Sequence, residues 1–327
     1  MASTNVRTIA IVSDIHYASA AEQARGDDYE FEGLKNPFLR MAGRFHRHYI
    51  WLRRPLRQNH LLDAFLSQAG DWDYVIANGD FSCDSAFIGV SDEAARLSAL
   101  ECLGKLRKQF GSRLRATYGD HELGKFSFFG RRGGMPLESW RRAQADVGLE
   151  PFWRLEIGNY VIFGVVSSLI ALPVYESETL PAELPEWRRL REEHLALIRN
   201  AFAELRSDQR VLLFCHDPTA LPFLGQEEAI RSRFPQLEQT IIGHLHSNLI
   251  LRVAQRLVGV PPIRFLGNTA RRMSLALREA QHWRPFNVRL CPSIAGIELL
   301  KGGGFFTVDL DPAARAPAAF HFHPIPR

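Results

Sequence analysis

Five short polar signatures each follow an apolar run: Ser13-Asp14-Ile15-His16, Asn78-Gly79-Asp80, Gly119-Asp120-His121-Glu122, Cys215-His216-Asp217-Pro218 and Gly243-His244-Leu245-His246. Ligands of α/β proteins bind beyond the carboxyl ends of parallel strands. If the apolar runs are neighbouring parallel strands, three carboxylates (Asp14, Asp80, Asp120) and four imidazoles (His16, His216, His244, His246) converge. Asp-x-His and His-x-His place their two groups at period two, so on an extended backbone both side chains leave on the same side. These donors are too many for one ion and suit two ions sharing a bridging carboxylate. Mixed nitrogen and oxygen donors suit manganese, iron, zinc or cobalt better than calcium, and no paired cysteines are present for a closed structural zinc site; two divalent ions are expected, manganese first, with iron, zinc, cobalt or magnesium as alternatives. Two such ions clamp the attacking and leaving oxygens of a phosphoryl transfer and acidify a water between them, which makes phosphoester hydrolysis the expected chemistry.

The elements that must position these residues follow an α/β pattern. Strands are expected near 7–12, 73–78, 113–118, 159–166, 210–215 and 238–242, and helices near 56–69, 91–109 and 187–206. Ser91-Asp92-Glu93-Ala94 caps the middle helix, Gly111 ends it, and Leu97, Leu100, Leu103 and Leu106 form a core stripe at helical spacing. Phe305–Leu310 and Ala319–Phe322 read as late strands around Asp311-Pro312, expected to form a second antiparallel layer that closes the fold.

With 46% apolar and 23% charged residues over 327 positions, the chain has globular composition. It is expected to form a single domain over 1–327, with a basic insertion at about 17–58. A net charge of +4 permits anionic partners, but the dense basic blocks of nucleic-acid binders are missing, so no specific nucleic acid is expected. Cys83, Cys102, Cys215 and Cys291 are too few and scattered for a disulfide framework. No secretion signal is expected ahead of the first strand, and Val161–Leu172 reads as too short and too polar to cross a bilayer. A cytoplasmic protein is expected, with peripheral contact at the inner face of the membrane as an option.

That option arises from residues 38–58, which hold Arg40, Arg44, Arg47, Arg53, Arg54 and Arg57 and no acidic residue. At helical spacing Phe38, Met41, Ala42, Phe45, Tyr49 and Leu52 share one face, and Arg40, Arg44, Arg47, Trp51 and Arg54 the other. Either the apolar face packs on the core beneath a solvated arginine face, or the segment is a lid or interfacial helix touching an anionic membrane through residues 38–57. Phe126, Phe128, Phe129 and Met135 beside Arg131 and Arg132 form a second apolar and basic loop. Arg131, Arg132, Arg271 and Arg272 are candidate contacts to a substrate phosphate. Glu122 and Asp217 either support a ligand or are solvated in loops. Cys83 and Cys215 read as small buried hydrophobes, and His46, His48, His60, His194, His282, His321 and His323 as surface or packing residues.

Taken in order over residues 9–246, the five signatures resemble the calcineurin-like metallophosphoesterase family, with its Asp-x-His, Gly-Asp, Gly-Asn-His-Asp/Glu, lone His and Gly-His-x-His motifs. The resemblance implies a two-sheet α/β/β/α sandwich with a metal site at strand C-terminal ends. It assigns Asp14, His16 and His246 to a first ion, Asp80 as the bridge, and Asp120, His216 and His244 to a second. It places His121 beside the phosphate, as a transition-state stabiliser or general acid.

Two departures bear on this. Asp120 stands where the family usually has Asn, and the additional negative charge is expected to hold the second ion more tightly while weakening its Lewis acidity. Cys83 stands where the serine/threonine phosphatase branch has an Asp that orients the histidine, which argues against a protein phosphatase. The basic aromatic segment points to a lipid-linked phosphate, as in the UDP-2,3-diacylglucosamine hydrolases of lipid A biosynthesis. The alternatives are a soluble phosphodiesterase acting on cyclic nucleotides, glycerophosphodiesters or nucleic-acid ends, and a non-catalytic scaffold.

Overall fold

Residues Ile9 to Val12 are apolar without alternation, and all four are fully buried. A strand with no polar face belongs inside a sheet covered on both sides. The computed structural model describes residues 6–26, 31, 34–51, 54–127, 132–246, 280–295 and 303–325. Its strands are β1 (Arg7–Val12), β2 (Tyr74–Asn78), β3 (Leu114–Thr117), β4 (Phe152–Ile157), β5 (Tyr160–Val165), β6 (Arg210–Cys215), β7 (Leu237–Ile242), β8 (Val288–Leu290), β9 (Gly304–Leu310) and β10 (Ala319–Pro324).

They form two five-stranded sheets, ordered β10-β9-β1-β2-β3 and β4-β5-β6-β7-β8. β1, β2 and β3 run parallel, with Ile11 opposite Ile76 and Ile76 opposite Arg115. β5 to β8 also run parallel, and β4 joins β5 as an antiparallel hairpin. The late strands do not make the separate antiparallel layer expected of them. β9 pairs with β1 and β10 with β9, so both extend the first sheet beyond its N-terminal strand. The physical reason is that β1 would otherwise be an edge, with a row of unpaired backbone groups.

Period two distributes the core. Ile9, Ile11, Ile76 and Val308 of one sheet meet Trp153, Ile162, Leu212, Phe214 and Ile241 of the other, forming the layer between the sheets. The alternate residues, such as Ala10, Val75, Phe163 and Leu213, face helices. The helices before the second sheet are α1 (Ala20–Arg25), α2 (Pro37–Phe45), α3 (Asn59–Ser67), α4 (Glu93–Phe110), α5 (Asp120–Leu123) and α6 (Leu137–Ala145). Within the second half come α7 (Ser167–Ile170), α8 (Leu172–Tyr175) and α9 (Leu184–Ala203). The result is an α/β sandwich, two mixed sheets flanked by helices. In α4 the cap is Asp92, whose carboxylate accepts from the Ala95 amide at 3.0 Å. The buried face of α4 is made of Ala95, Ala99, Cys102, Leu103, Leu106 and Phe110, while Leu100 is only half-buried, so small residues rather than the leucine stripe alone set its closeness to the sheet.

The basic segment reverses the orientation expected of core packing. α2 continues into a π-helical turn, His46–Trp51, and its apolar side chains face outward: Phe38 is 76% exposed, Met41 65%, Phe45 57% and Tyr49 60%. Arg47 is instead 8% exposed, with its guanidinium over the Phe87 ring at 5.3 Å. Leu52 and Arg53 lie outside the described residues. All four cysteines are buried thiols. No helix among the described residues is long and apolar enough to cross a membrane.

Candidate metal centre

Each signature begins where a strand stops: β1 at Val12, β2 at Asn78, β3 at Thr117, β6 at Cys215 and β7 at Ile242. There the backbone abandons the extended form. Asp14, His16, Asp80, His244 and His246 have φ of 54°, 48°, 56°, 59° and 53°, the left-handed region. Asp14 and His16, and His244 and His246, are therefore not on an extended backbone with both side chains leaving one side; tight turns, not the pleat, aim these groups. Each left-handed non-glycine residue costs about 1 kcal/mol or more and persists only where its surroundings dictate it. Here the loop after β1 is laced to the loop after β2: the amides of Asp14, His16 and Tyr17 donate to the carbonyls of Gly79, Asp80 and Phe81 at 3.2, 2.9 and 2.8 Å. Gly79, at φ +84°, lies so close to the next loop that a Cβ would stand 2.6 Å from the Gly119 amide nitrogen and 2.7 Å from His216 Nδ1.

The side chains gather in two overlapping groups, Asp14, His16, Asp80 and His246, and Asp80, Asp120, His216 and His244; within each, one ligand atom per residue lies within 4.8 Å of all the others. Asp80 is common to both. In the first group His16 Nε2 and His246 Nε2 face one another at 3.3 Å, and His246 Nε2 lies 3.1 Å from Asp14 Oδ1. In the second, His216 Nε2 is 3.2 Å from Asp80 Oδ2 and His244 Nδ1 is 3.2 Å from Asp120 Oδ1. All are buried except His244, which is half-buried. Among the described residues neither Asp80 Oδ2 nor His216 Nε2 has a partner in hydrogen-bonding geometry, although both are buried and lie 3.2 Å apart. A buried carboxylate oxygen and imidazole nitrogen left this way are costly unless a cation satisfies them. The residues thus fit a buried centre for two divalent ions.

The electrostatics agree. Burial pushes the Asp14 carboxyl up, but the imidazoles of His246 and His216 outweigh it and hold it at about 2. Asp80 lies below the usual carboxylate range: burial opposes this, and His216 and His121 overcome both burial and the repulsion from Asp120. Burial likewise raises Asp120, and Lys125 and His244 bring it well below its ordinary value. Burial, then the neighbouring His121, drives His16 well down, whereas Asp80, Asp14 and Asp120 raise His216 against its burial. The carboxylates are thus held ionised, the state a cation needs.

Supporting contacts fix ring orientation. His216 Nδ1 donates to the Asn78 carbonyl at 2.5 Å, which turns Nε2 into the cluster. His121 Nδ1 donates to the Cys83 carbonyl at 3.0 Å, and its Nε2 faces Asp80 Oδ2 at 3.9 Å. A backbone carbonyl here orients the imidazole, the task the Asp of the protein-phosphatase branch performs. Burial, then Lys125, lowers His121 to about 4. Glu122 is not solvated: the amides of Asp80, Phe81 and Gly119 donate to its carboxylate at 3.0, 2.8 and 2.7 Å. Burial, then Asp80, raises it to about 7. Asp217 is also buried, accepting from Tyr175 Oη at 2.5 Å and from the Thr219 amide at 2.8 Å, so it secures its own turn.

Asp120 carries a partner that the sequence reading missed. Lys125 Nζ donates to Asp120 Oδ2, so the additional negative charge expected at this position meets a positive one. The available signal was a lysine five residues after an unusual aspartate. The carbonyls of Asn78 and Cys83 were invisible, because every residue carries one. Of the candidate phosphate contacts, Arg132 is half-buried, with its amide donating to Ser127 Oγ at 3.2 Å. Arg131, Arg271 and Arg272, with Phe128 and Phe129, lie outside the described residues.

The sequence profile of the calcineurin-like phosphoesterases matches residues 7–248. No curated protein matches the chain significantly. Among solved structures, a purple acid phosphatase from yellow lupin (Lupinus luteus) seeds is 14% identical over 74% of this chain and 38% of its own, with a TM-score of 0.36. The phosphopantetheinyl hydrolase of Mycobacterium tuberculosis is 14% identical over 73% of this chain and 83% of its own, with a TM-score of 0.38. The chain thus spans little more than a third of the length of the lupin enzyme.

Proposed function

The chain belongs to the calcineurin-like phosphoesterase family, a family of metal-dependent phosphoesterases, and from that premise we propose that it hydrolyses a phosphodiester or pyrophosphate bond of a lipid-linked substrate with two divalent ions, manganese in the first place. The observation that carries the chemistry is the pair of buried Asp and His groups sharing Asp80. Asp14, His16 and His246 would hold one ion, Asp120, His216 and His244 the other, and Asp80 both. When bound, the ions supply Lewis-acid neutralisation of phosphoryl charge and acidify the attacking water. With its Nδ1 proton committed to the Cys83 carbonyl, neutral His121 offers only a lone pair at Nε2. Donation to the leaving oxygen therefore requires the imidazolium, which a bound anionic phosphate favours. Arg131, Arg132, Arg271 and Arg272 remain candidates for phosphate contact.

The lipid linkage is supported by the basic segment. Its exposed Phe38, Met41, Phe45 and Tyr49 form an apolar face that water alone does not stabilise. The segment packs near the centre, since the Pro55 carbonyl lies 3.3 Å from Cys83 Sγ, whose nearer acceptor is the His16 carbonyl at 2.9 Å, while the Cys83 carbonyl holds His121. A surface cavity of about 540 Å³ is lined by Gln23, His48, Tyr49, Arg54, Leu56 and Arg57, a cationic setting suited to an anionic headgroup. An apolar face beside arginines is the composition of an interfacial helix on anionic lipid, which would put the protein at the inner face of the membrane.

The test is hydrolysis of UDP-2,3-diacylglucosamine by the manganese-loaded protein in mixed micelles, with product masses recorded and Asp80→Ala as control. Cleavage to UMP and a lipid monophosphate, abolished in the variant, is the expected result. Hydrolysis of a soluble bis-aryl phosphodiester without cleavage of the lipid would retain the two-ion chemistry and reject the lipid. Full activity in Asp80→Ala would reject the two-ion reading.

A further inference from the structure

We propose that Lys125 is a positioning residue of the second ion-binding group: by pairing with one oxygen of Asp120 it makes that carboxylate behave as a charge-compensated, one-oxygen donor. The inference rests on the two-ion reading above. Asp120 gives its two oxygens different tasks. Oδ1 faces the cluster, 3.2 Å from His244 Nδ1 and 3.8 Å from His216 Nε2, whereas Oδ2 is turned away and accepts from Lys125 Nζ. The Asp120 side chain is 1% exposed and that of Lys125 14%, so the pair meets mostly out of water, where charges interact strongly.

The chain path explains why the lysine arrives there. Asp120 opens the single turn of α5, and Gly124 follows with φ +89° and no room for a side chain: a Cβ would stand 2.4 Å from the Gly134 carbonyl oxygen and 2.6 Å from the Ile88 carbonyl carbon. The backbone reverses at this point, the Lys125 amide donates to the Phe87 carbonyl at 3.2 Å, and the side chain returns over Asp120. An uncompensated aspartate could offer both oxygens to an ion and would add a full negative charge to a group that already holds Asp80. Paired with Lys125 it presents one oxygen at no net charge, as an amide side chain would. Lysine supplies the donor that the outward oxygen requires.

The two residues should therefore be exchangeable only together. The full chain is stripped with chelator and titrated with manganese by calorimetry, with bound metal counted by elemental analysis, for wild type, Asp120→Asn, Lys125→Met, Lys125→Arg and the Asp120→Asn/Lys125→Met double variant. Asp120→Asn leaves an unopposed positive charge and should weaken the second manganese equivalent by about tenfold or more. Lys125→Met leaves an unopposed negative charge and should tighten it by a similar factor. The double variant and Lys125→Arg should return to within about threefold of wild type, a compensation that a merely structural lysine would not produce. Two ions bound by wild type, with a double variant no closer to it than Asp120→Asn, would overturn the pairing alone. Fewer than two ions bound by wild type would overturn the two-ion reading and the pairing with it.

Discussion

Coordination chemistry restricts ligands to a few side-chain types, which is why seven Asp and His residues could be picked out along the chain and are found within two overlapping groups. What supports them was hidden at this scale. The Asn78 and Cys83 carbonyls that orient His216 and His121 are backbone groups present in any sequence, and the three amides held by Glu122 come from two separate loops. The His121 ring touches the centre without being a member of either group, so His121→Gln should lower turnover by about 10² to 10⁴ while both ions stay bound. Turnover and metal content measured on one preparation decide it: unchanged turnover would make His121 a packing residue, and loss of metal would make it a ligand.

At the scale of elements, α2 shows what periodicity can and cannot say. Helical spacing divides Phe38, Met41, Phe45 and Tyr49 from the arginines, but it does not say which face meets the core. Core burial of the apolar face would be the default, yet Arg47 lies inward on Phe87 and the apolar face is in solvent. Replacing Phe38, Met41, Phe45 and Tyr49 together by Ser should therefore leave the thermal midpoint unchanged or raised. Co-sedimentation with phosphatidylglycerol-containing vesicles should fall by about tenfold or more, because each exposed side chain contributes roughly 1 kcal/mol or more when buried in lipid. A wild type that ignores such vesicles, or a variant that no longer folds, would contradict this reading of the surface.

For the whole molecule, helix and sheet are tied by side-chain hydrogen bonds as well as by apolar packing. The His194 ring on α9 is fully buried, and its Nε2 accepts from the Val166 amide just past β5 at 3.1 Å. Burial alone lowers its pKa to about 3, so the folded protein keeps it neutral while the unfolded chain protonates it near 6.5. The sign follows: this contribution to stability is complete above pH 6.5 and is lost as pH falls towards 3. Between pH 7 and pH 5 it amounts to about 2 kcal/mol. Urea unfolding at both pH values should show wild type losing about that much more stability than His194→Gln. Equal losses in the two proteins would mean that the histidine is protonated in the fold.

Residue identity and local period were enough to pick out the candidate ligands, their order along the chain and the strands that precede them, because metal chemistry and apolar burial act through those features. Even the α/β class followed from those runs. The tertiary structure alone decided the rest. β9 and β10 extend the first sheet because β1 needed a neighbour, a matter of long-range pairing that no window of sequence contains. The candidate ligands converge through left-handed turns rather than a straight pleat, since the lacing of one loop to another overrides the local preference for extended backbone. Lys125 reaches Asp120 because the backbone reverses at Gly124 with φ +89°, where Gly134 and Ile88 leave no room for a side chain, and those neighbours meet it only in the folded chain.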